Sequence, residues 1–304
     1  LPAAPVLAEQ GGKSPVQVFI LAGQSNMEGH GIIPIAGAKN DGKGSLEYIV
    51  KNPATAKHWA HLADASGNWA VRNDVWIWYL GRKGGLTAGY GANNRSVGPE
   101  LEFGHVVGNA IDNQVLIIKC AWGGKDLYKD FRPPSAGGEV GSYYKQLIQN
   151  VADVLANLKT NFPDYDGGGF QIVGFGWHQG WNDGCSGPAT AEYEKNMICF
   201  IKDLRKELKI KDLPVVIANS GFGGQGCSGR RLDICKAQAG AAAFSEFAGT
   251  AVCVDTRDFY RPLELSPGAQ GYHWNNNAET YCLIGEAMGK AMIGLMKARQ
   301  PKPK

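Results

Sequence analysis

A serine stands in the run Ala22-Gly23-Gln24-Ser25-Asn26-Met27, directly after the apolar stretch Val18 to Leu21. A hydroxyl on a strand-to-helix turn is held forward, and the backbone N–H groups of the turn face whatever it attacks. Acyl transfer to serine also needs a base, because a hydroxyl is a weak nucleophile until an imidazole takes its proton. There are six histidines: His30, His58, His61, His105, His178 and His273. Only His178 and His273 lie in stretches that follow a strand-like run and precede a helix-like one. His273, in Gly271-Tyr272-His273-Trp274-Asn275, belongs to a separate final loop that can fold over Ser25, so it is the better general base. The alternative for Ser25 is a plain helix N-cap, and spacing alone does not separate the two. Met27 stands where a GxSxG motif needs its second glycine, which disfavours an α/β-hydrolase elbow.

Two further blocks follow apolar runs. Cys120-Ala121-Trp122-Gly123-Gly124 places paired glycines where a backbone N–H can approach a ligand, or where the chain simply turns. Trp177-His178-Gln179-Gly180-Trp181-Asn182-Asp183 sets amides between indoles. That mixture suits sugars, whose apolar faces stack on aromatic rings while amides bond the hydroxyls. Gln179 is also a possible oxyanion donor; the competing reading is a capped helix start with core tryptophans. His58 and His61 have helical spacing but no third ligand, so no metal site is expected.

The elements that would position these residues are legible as a rhythm. Val18 to Leu21, Val115 to Ile118, Ile172 to Trp177, Val215 to Ala218 and Ala251 to Val254 are short continuous apolar runs, as in parallel strands covered on both faces. Helix-period segments lie between them: Pro99 to Ala110, Tyr143 to Lys159, Tyr193 to Leu208 and Glu279 to Lys297. The alternation predicts a three-layer α/β fold with a central, mostly parallel, five-stranded sheet, and ligands beyond the carboxyl ends of its strands. One domain is expected over 1–304, with an N-terminal extension (1–14), an insertion (31–91) over one end of the sheet, and a basic tail (297–304). The aromatic stretch Trp76 to Tyr79 and the glycine-rich Gly81 to Gly91 are assigned to that insertion.

Composition narrows the function classes. Of 304 residues 44% are hydrophobic and 19% charged, which excludes a disordered chain. A net charge of +3 is too small for a nucleic-acid-binding surface, and no apolar run is long enough to span a membrane. The seven cysteines contain no CxxC pair, so a zinc ribbon is not expected. Cys227 and Cys235 flank a glycine- and arginine-rich loop, either as a local disulfide or as free thiols. Leu1 to Gln10 is small and apolar without a basic start, either the remnant of a signal peptide or a plain chain end.

Gly23-Gln24-Ser25-Asn26-Met27, Gly98-Pro99-Glu100, Trp122-Gly123-Gly124, Trp177-His178-Gln179-Gly180 and the late His273 together resemble the SGNH-type hydrolases. The branch is that of the sialate O-acetylesterases and acetylxylan esterases of carbohydrate esterase family six. The blocks run in family order and, with their flanking elements, span Val18 to Met296. The resemblance implies a flavodoxin-like α/β/α sandwich and a secreted or periplasmic esterase that needs no cofactor and acts on acetylated carbohydrate. It implies Ser25 as nucleophile and His273 as base. The oxyanion hole would be the Ser25 N–H, an N–H from Gly123 or Gly124, and the Gln179 amide. Gln24, Asn26, Trp122, Trp181 and Trp274 would contact substrate.

The chain departs from that pattern at the acid. The aspartate that SGNH enzymes often carry three residues before the histidine is Gln270 here, and the glutamate some relatives use is Trp181. Asp183, Asp255 or Asp258 could orient His273 instead, or the site is a Ser–His dyad with the imidazole held by Gln270 or a carbonyl. Two other functions remain open on sequence. One is a catalytically weak carbohydrate-binding protein that lost its acid. The other is a dinucleotide-binding oxidoreductase built on Gly221-Phe222-Gly223-Gly224-Gln225-Gly226 with Glu246 beyond it. The fingerprint needs a helix opening at its third glycine, and Cys227-Ser228-Gly229-Arg230 interrupts there.

Overall fold

Alternating burial along each apolar run makes it a strand with two inner faces. In β1 (Val16–Gly23), Val18, Ile20 and Ala22 enter one core and Phe19 and Leu21 the other. The computed structural model describes residues 14–299, so the extension and the basic tail fall almost wholly outside the described residues. The remaining strands of the main sheet are β2 (Arg72–Tyr79), β3 (Arg82–Leu86), β4 (Val115–Ala121), β5 (Phe170–His178), β6 (Val215–Ala218) and β7 (Ala251–Val254). Their order is β3-β2-β4-β1-β5-β6-β7, parallel throughout except for β3, which returns antiparallel on β2.

Helices cover both faces, completing three layers. On the first core lie α3 (Ser142–Ala156), α5 (Gly187–Leu208) and α6 (Arg230–Ala242); on the second lie α2 (Glu100–Ala110) and α7 (Ala278–Ala298). In α3 the buried residues Tyr144, Leu147, Val151 and Val154 fall three and four apart on one stripe. Gly285 of α7 sits so close to the Pro99 carbonyl that no side chain fits, which seats α7 against the start of α2.

The sheet therefore has seven strands rather than five. The two additional strands come from the 31–91 segment expected to lie over the sheet. Trp76 to Tyr79 belongs to β2, whose Val75, Ile77 and Tyr79 face one core while Trp76 enters the other. Its polar start, Arg72-Asn73-Asp74, and its run of aromatics hide the alternation. The glycine-rich stretch is the edge strand β3, where small residues still make ladder hydrogen bonds. The rest of the segment packs Leu46, Ile49 and Trp59 into the second core.

Candidate active site

The register of the three central strands fixes the site. Gly23 at the end of β1 pairs with Ala121 of β4 on one side and His178 of β5 on the other. Ser25, Gly123 and Gly180 each lie two residues past that common line, so three loops emerge side by side at the carboxyl rim. Gly23 must be glycine, because a Cβ there would run into the His178 carbonyl. The chain then turns at once into α1 (Ser25–Glu28), with Gln24 at its N-cap and the Gly29 N–H closing on Ser25 O at 2.9 Å. Ser25 keeps 7% of its surface exposed.

Asn26 brings the distant histidine to this rim. Its Nδ2 donates to the Tyr272 carbonyl at 2.9 Å, and its Oδ1 accepts from the Tyr281 hydroxyl of α7 at 2.8 Å. The neighbours of Ser25 and His273 are thus bonded directly to each other, although 246 residues separate them. The loop carrying His273 is strained. Trp274, Asn275 and Asn276 are left-handed, with φ of 53°, 55° and 58°, a conformation that costs ~1–2 kcal/mol per non-glycine residue. Three interactions hold it: Trp274 is wholly buried, Asn275 Nδ2 donates to Arg261 O (3.0 Å), and Asn276 Nδ2 donates to Gln270 Oε1 (3.0 Å).

His273 is half-buried, and its Nδ1 lies 3.2 Å from Gln270 Oε1. An amide oxygen accepts only, so this contact places the proton on Nδ1 and leaves the Nε2 lone pair free. Burial, with the charge of neighbouring His30, pushes the imidazole down to about 4, while Glu28 pulls the other way. His273 is therefore neutral, and able to accept a proton, through the neutral pH range.

The carboxylates considered for orienting it lie elsewhere. Asp183, wholly buried, accepts from Leu127 N and Tyr128 N and from Gln179 Nε2 at 2.6 Å; it pins the loop after β4, and burial raises its carboxyl to about 7. Asp255 is bound by Arg257 and Asn219, and Asp258 by Gln225 Nε2. Gln270 is the side chain that meets His273.

Several expected substrate contacts have other employment. Gln179 is buried, and its amide nitrogen is shared among Gln24 Oε1, Lys125 O and Asp183 Oδ2, so no N–H is left for an oxyanion. Gln24 is buried too; its Oε1 accepts from Gly180 N and Asn182 N, latching the start of α4 (Trp181–Gly184) to β1. Asn26 fastens the histidine loop, and Trp274 is a core residue with no face for a sugar. Gly123 packs against the Glu28 carboxylate, and Gly124 beside it is in the left-handed conformation at φ 71°. Asn182, which the sequence reading took only as a sugar contact, donates through Nδ2 to Gly124 O and so sits directly beside it. His178 is a core histidine, its Nδ1 on Ala218 O at 3.0 Å.

Two side chains absent from the sequence reading stand at the centre. Glu28 packs against Gly123, where a Cβ would come within 3.1 Å of its Oε2, and that oxygen is 3.6 Å from His30 Nε2. Burial opposes its charge, but the neighbouring His30 ring, the Gly123 backbone and the Lys119 ammonium hold its carboxyl below the ordinary range. Below it Lys119, wholly buried in β4, donates to Glu28 O (2.6 Å), Tyr90 O (2.8 Å) and Glu100 Oε2 (2.7 Å). Those three bonds use the whole donor capacity of an ammonium.

The rim is aromatic on both sides of Ser25. Toward β5 and β6, Trp181 packs on Tyr272 (5.2 Å) and Phe222 (5.1 Å), with the Arg231 guanidinium over its ring. Toward β2, a groove of about 610 Å³ is lined by Trp78, Leu80, Trp122, Tyr143, Gln146 and Asn150.

The other sequence alternatives lack a built site. Cys227 and Cys235 are buried free thiols, without a disulfide. The helix after Gly221 to Gly226 begins only at Arg230, and Glu246 lies in a short 3-10 turn, paired with Lys202. Among the described residues no group of three His, Cys, Asp or Glu could hold a metal, and no helix is long and apolar enough to cross a membrane.

The family model described as carbohydrate esterase, sialic acid-specific acetylesterase matches residues 15–294. The chain belongs to that family. Two solved structures extend the likeness of this carbohydrate esterase. A protein from Arabidopsis thaliana superposes with a TM-score of 0.60 at 19% identity, covering 92% of this chain and 98% of its own. A carbohydrate acetylesterase from Xanthomonas citri superposes at 0.55 and 14% identity, covering 90% of this chain and 55% of its own. At these identities they bear on the fold alone, an α/β sandwich with a central, mostly parallel sheet. No curated protein matches the esterase by sequence.

Proposed function

We propose that this carbohydrate esterase removes O-acetyl groups from a glycan through an acetyl-serine intermediate. The observation that carries the reading is the Asn26 bridge, which ties the Ser25 turn to the His273 loop at one rim. Ser25 Oγ attacks the acetyl carbonyl while His273 Nε2 takes the hydroxyl proton. Gln270 holds the opposite nitrogen, which leaves Nε2 as the acceptor. The oxyanion is met by the N–H groups of Ser25 and Gly124 and the second N–H of the Asn182 amide. Each such donor lowers the barrier by ~3 kcal/mol. The imidazolium then gives its proton to the departing sugar oxygen. Water, deprotonated by His273, attacks the acetyl-serine, releasing acetate and restoring the hydroxyl. An acetyl ester is a far easier target than an amide, so a histidine held by an amide oxygen rather than a carboxylate is compatible with turnover.

The glycan part of the reading rests on family membership and on the indoles and amides that flank Ser25. The test is hydrolysis of p-nitrophenyl acetate, acetylated xylo-oligosaccharide and O-acetyl sialic acid by the wild type, Ser25→Ala and His273→Ala. Loss of roughly 10⁴-fold or more in both variants is expected. Equal rates in all three proteins would end the esterase reading, and binding of the glycans without turnover would favour a carbohydrate-binding protein.

A further inference from the structure

The missing acid leaves a question of charge. When His273 takes the serine proton it becomes a cation, and Gln270 offers it a dipole but no negative charge. The nearest answer lies on the other face of the ring. His30 stacks flat on His273, with centroids 3.9 Å apart and planes 5° apart. Behind His30 stands Glu28, its Oε2 3.6 Å from Nε2. Both are held in place. Glu28 packs against Gly123, its own carbonyl accepts from Lys119 Nζ at 2.6 Å, and the His30 carbonyl accepts from Asn276 Nδ2 at 3.3 Å.

We propose that Glu28, acting through the stacked ring of His30, is the positioning carboxylate that stabilises the His273 imidazolium in place of the acid absent at positions 270 and 181. The proposal rests on the esterase reading above, in which His273 is the base. The π face of His30 lies against the ring that becomes the cation, and the carboxylate behind it supplies the attraction. Glu28 opposes the depression of the His273 imidazole that burial and His30 cause.

The other groups around the stack do not replace it. Tyr272 meets His273 edge-on at 4.5 Å, and the Tyr281 hydroxyl reaches only its carbonyl. The Lys119 ammonium near Glu28 is engaged by Glu100, and Arg82 lies over Tyr79 with its donors on the Gly89 and Gly91 carbonyls. Glu28 also packs against Gly123, so it stands between the base and the loop after β4.

Glu28→Gln separates charge from scaffold. The amide keeps the shape of the side chain between Gly123 and His30 but loses the negative charge, and its nitrogen would have to donate to Nε2 where the carboxylate oxygen accepted. The acid limb of kcat/KM on p-nitrophenyl acetate should move to lower pH by about half a unit to one unit. Turnover at neutral pH should fall about tenfold. His30→Phe, which keeps a flat ring but ends the contact with Glu28, should do the same. A second measurement needs no turnover: the NMR titration of the His273 ring in Ser25→Ala, with and without Glu28→Gln, should show the same downward shift. An unmoved limb and an unmoved titration, whatever the loss in rate, would make Glu28 scaffold only and overturn the proposal. Full activity of Ser25→Ala alone would instead strike the esterase reading.

Discussion

Ser25 and His273 are conventional in type but unusual in support. The imidazole is held by an amide oxygen on one side and covered by a second imidazole on its face. Its depression to about 4 gives a direct expectation. A general base works only when neutral, so lowering its pKa extends activity toward acid. On a short assay with p-nitrophenyl acetate, kcat/KM should stay level from pH 7 to below 6.5 and reach half its plateau near 4. A half-point near the 6.5 of an ordinary histidine would contradict the environment described. At this scale the sequence was legible where a residue type has one chemical use. Ser25 and His273 stand out because only a strand-end serine and a late loop histidine make a pair, and the structure brings their loops to one rim through Asn26 and Tyr272. Glu28 and His30 were missed because nothing in Met27-Glu28-Gly29-His30 shows that the chain doubles back on His273. Gln24, Asn26 and Gln179 were taken for substrate contacts because a polar residue beside a nucleophile has two possible partners, the ligand and the next loop, and only the fold decides between them.

At the scale of elements, the site is a problem of holding three loops level. The register of β1 with β4 and β5 does most of this, and buried polar latches do the rest. Lys119 is the central latch, joining β4 to the end of α1 and the start of α2. Removing one member of a wholly buried ion pair leaves an uncompensated charge, which costs about 3–5 kcal/mol. Lys119→Met should therefore destabilise by that order in urea denaturation, and adding Glu100→Gln should restore part of the loss. A single variant as stable as the double one would refute the latch. The five consecutive strands β4, β1, β5, β6 and β7 could be read from continuous apolar runs, because parallel strands covered on both faces carry no polar side. The edge was harder. β2 begins polar and β3 is rich in glycine, and an edge strand needs little apolar surface. The left-handed run at Trp274 to Asn276 had a faint signal in Asn275-Asn276-Asn277, since asparagine tolerates that conformation better than most residues.

For the whole molecule, the strand order lays functional surfaces side by side: the Trp78–Trp122 groove, Ser25, then Trp181 and Tyr272. Adjacent strands are ~4.8 Å apart, close to the length of one sugar unit, so such a rim suits an extended glycan. Trp78→Ala and Gln146→Ala should raise KM for an acetylated xylan several-fold more than for p-nitrophenyl acetate; equal effects on both would remove the groove from substrate binding. A second expectation concerns pH. His105, His178 and His273 are each pushed down to about 4, mainly by burial. Between about pH 4 and 6.5 the unfolded chain binds protons at these sites that the folded one does not, so stability rises with pH there and falls as the solution is acidified. Thermal melts across that window should show the decline, and a melting temperature constant from pH 6.5 to 4.5 would contradict it.

The central claim is that Ser25 carries the acetyl group. Rapid-quench mass spectrometry of the protein mixed with p-nitrophenyl acetate tests it most directly. One acetyl adduct is expected on the peptide containing Ser25, absent from Ser25→Ala. Turnover that persists in Ser25→Ala, or an adduct on another side chain, would contradict it.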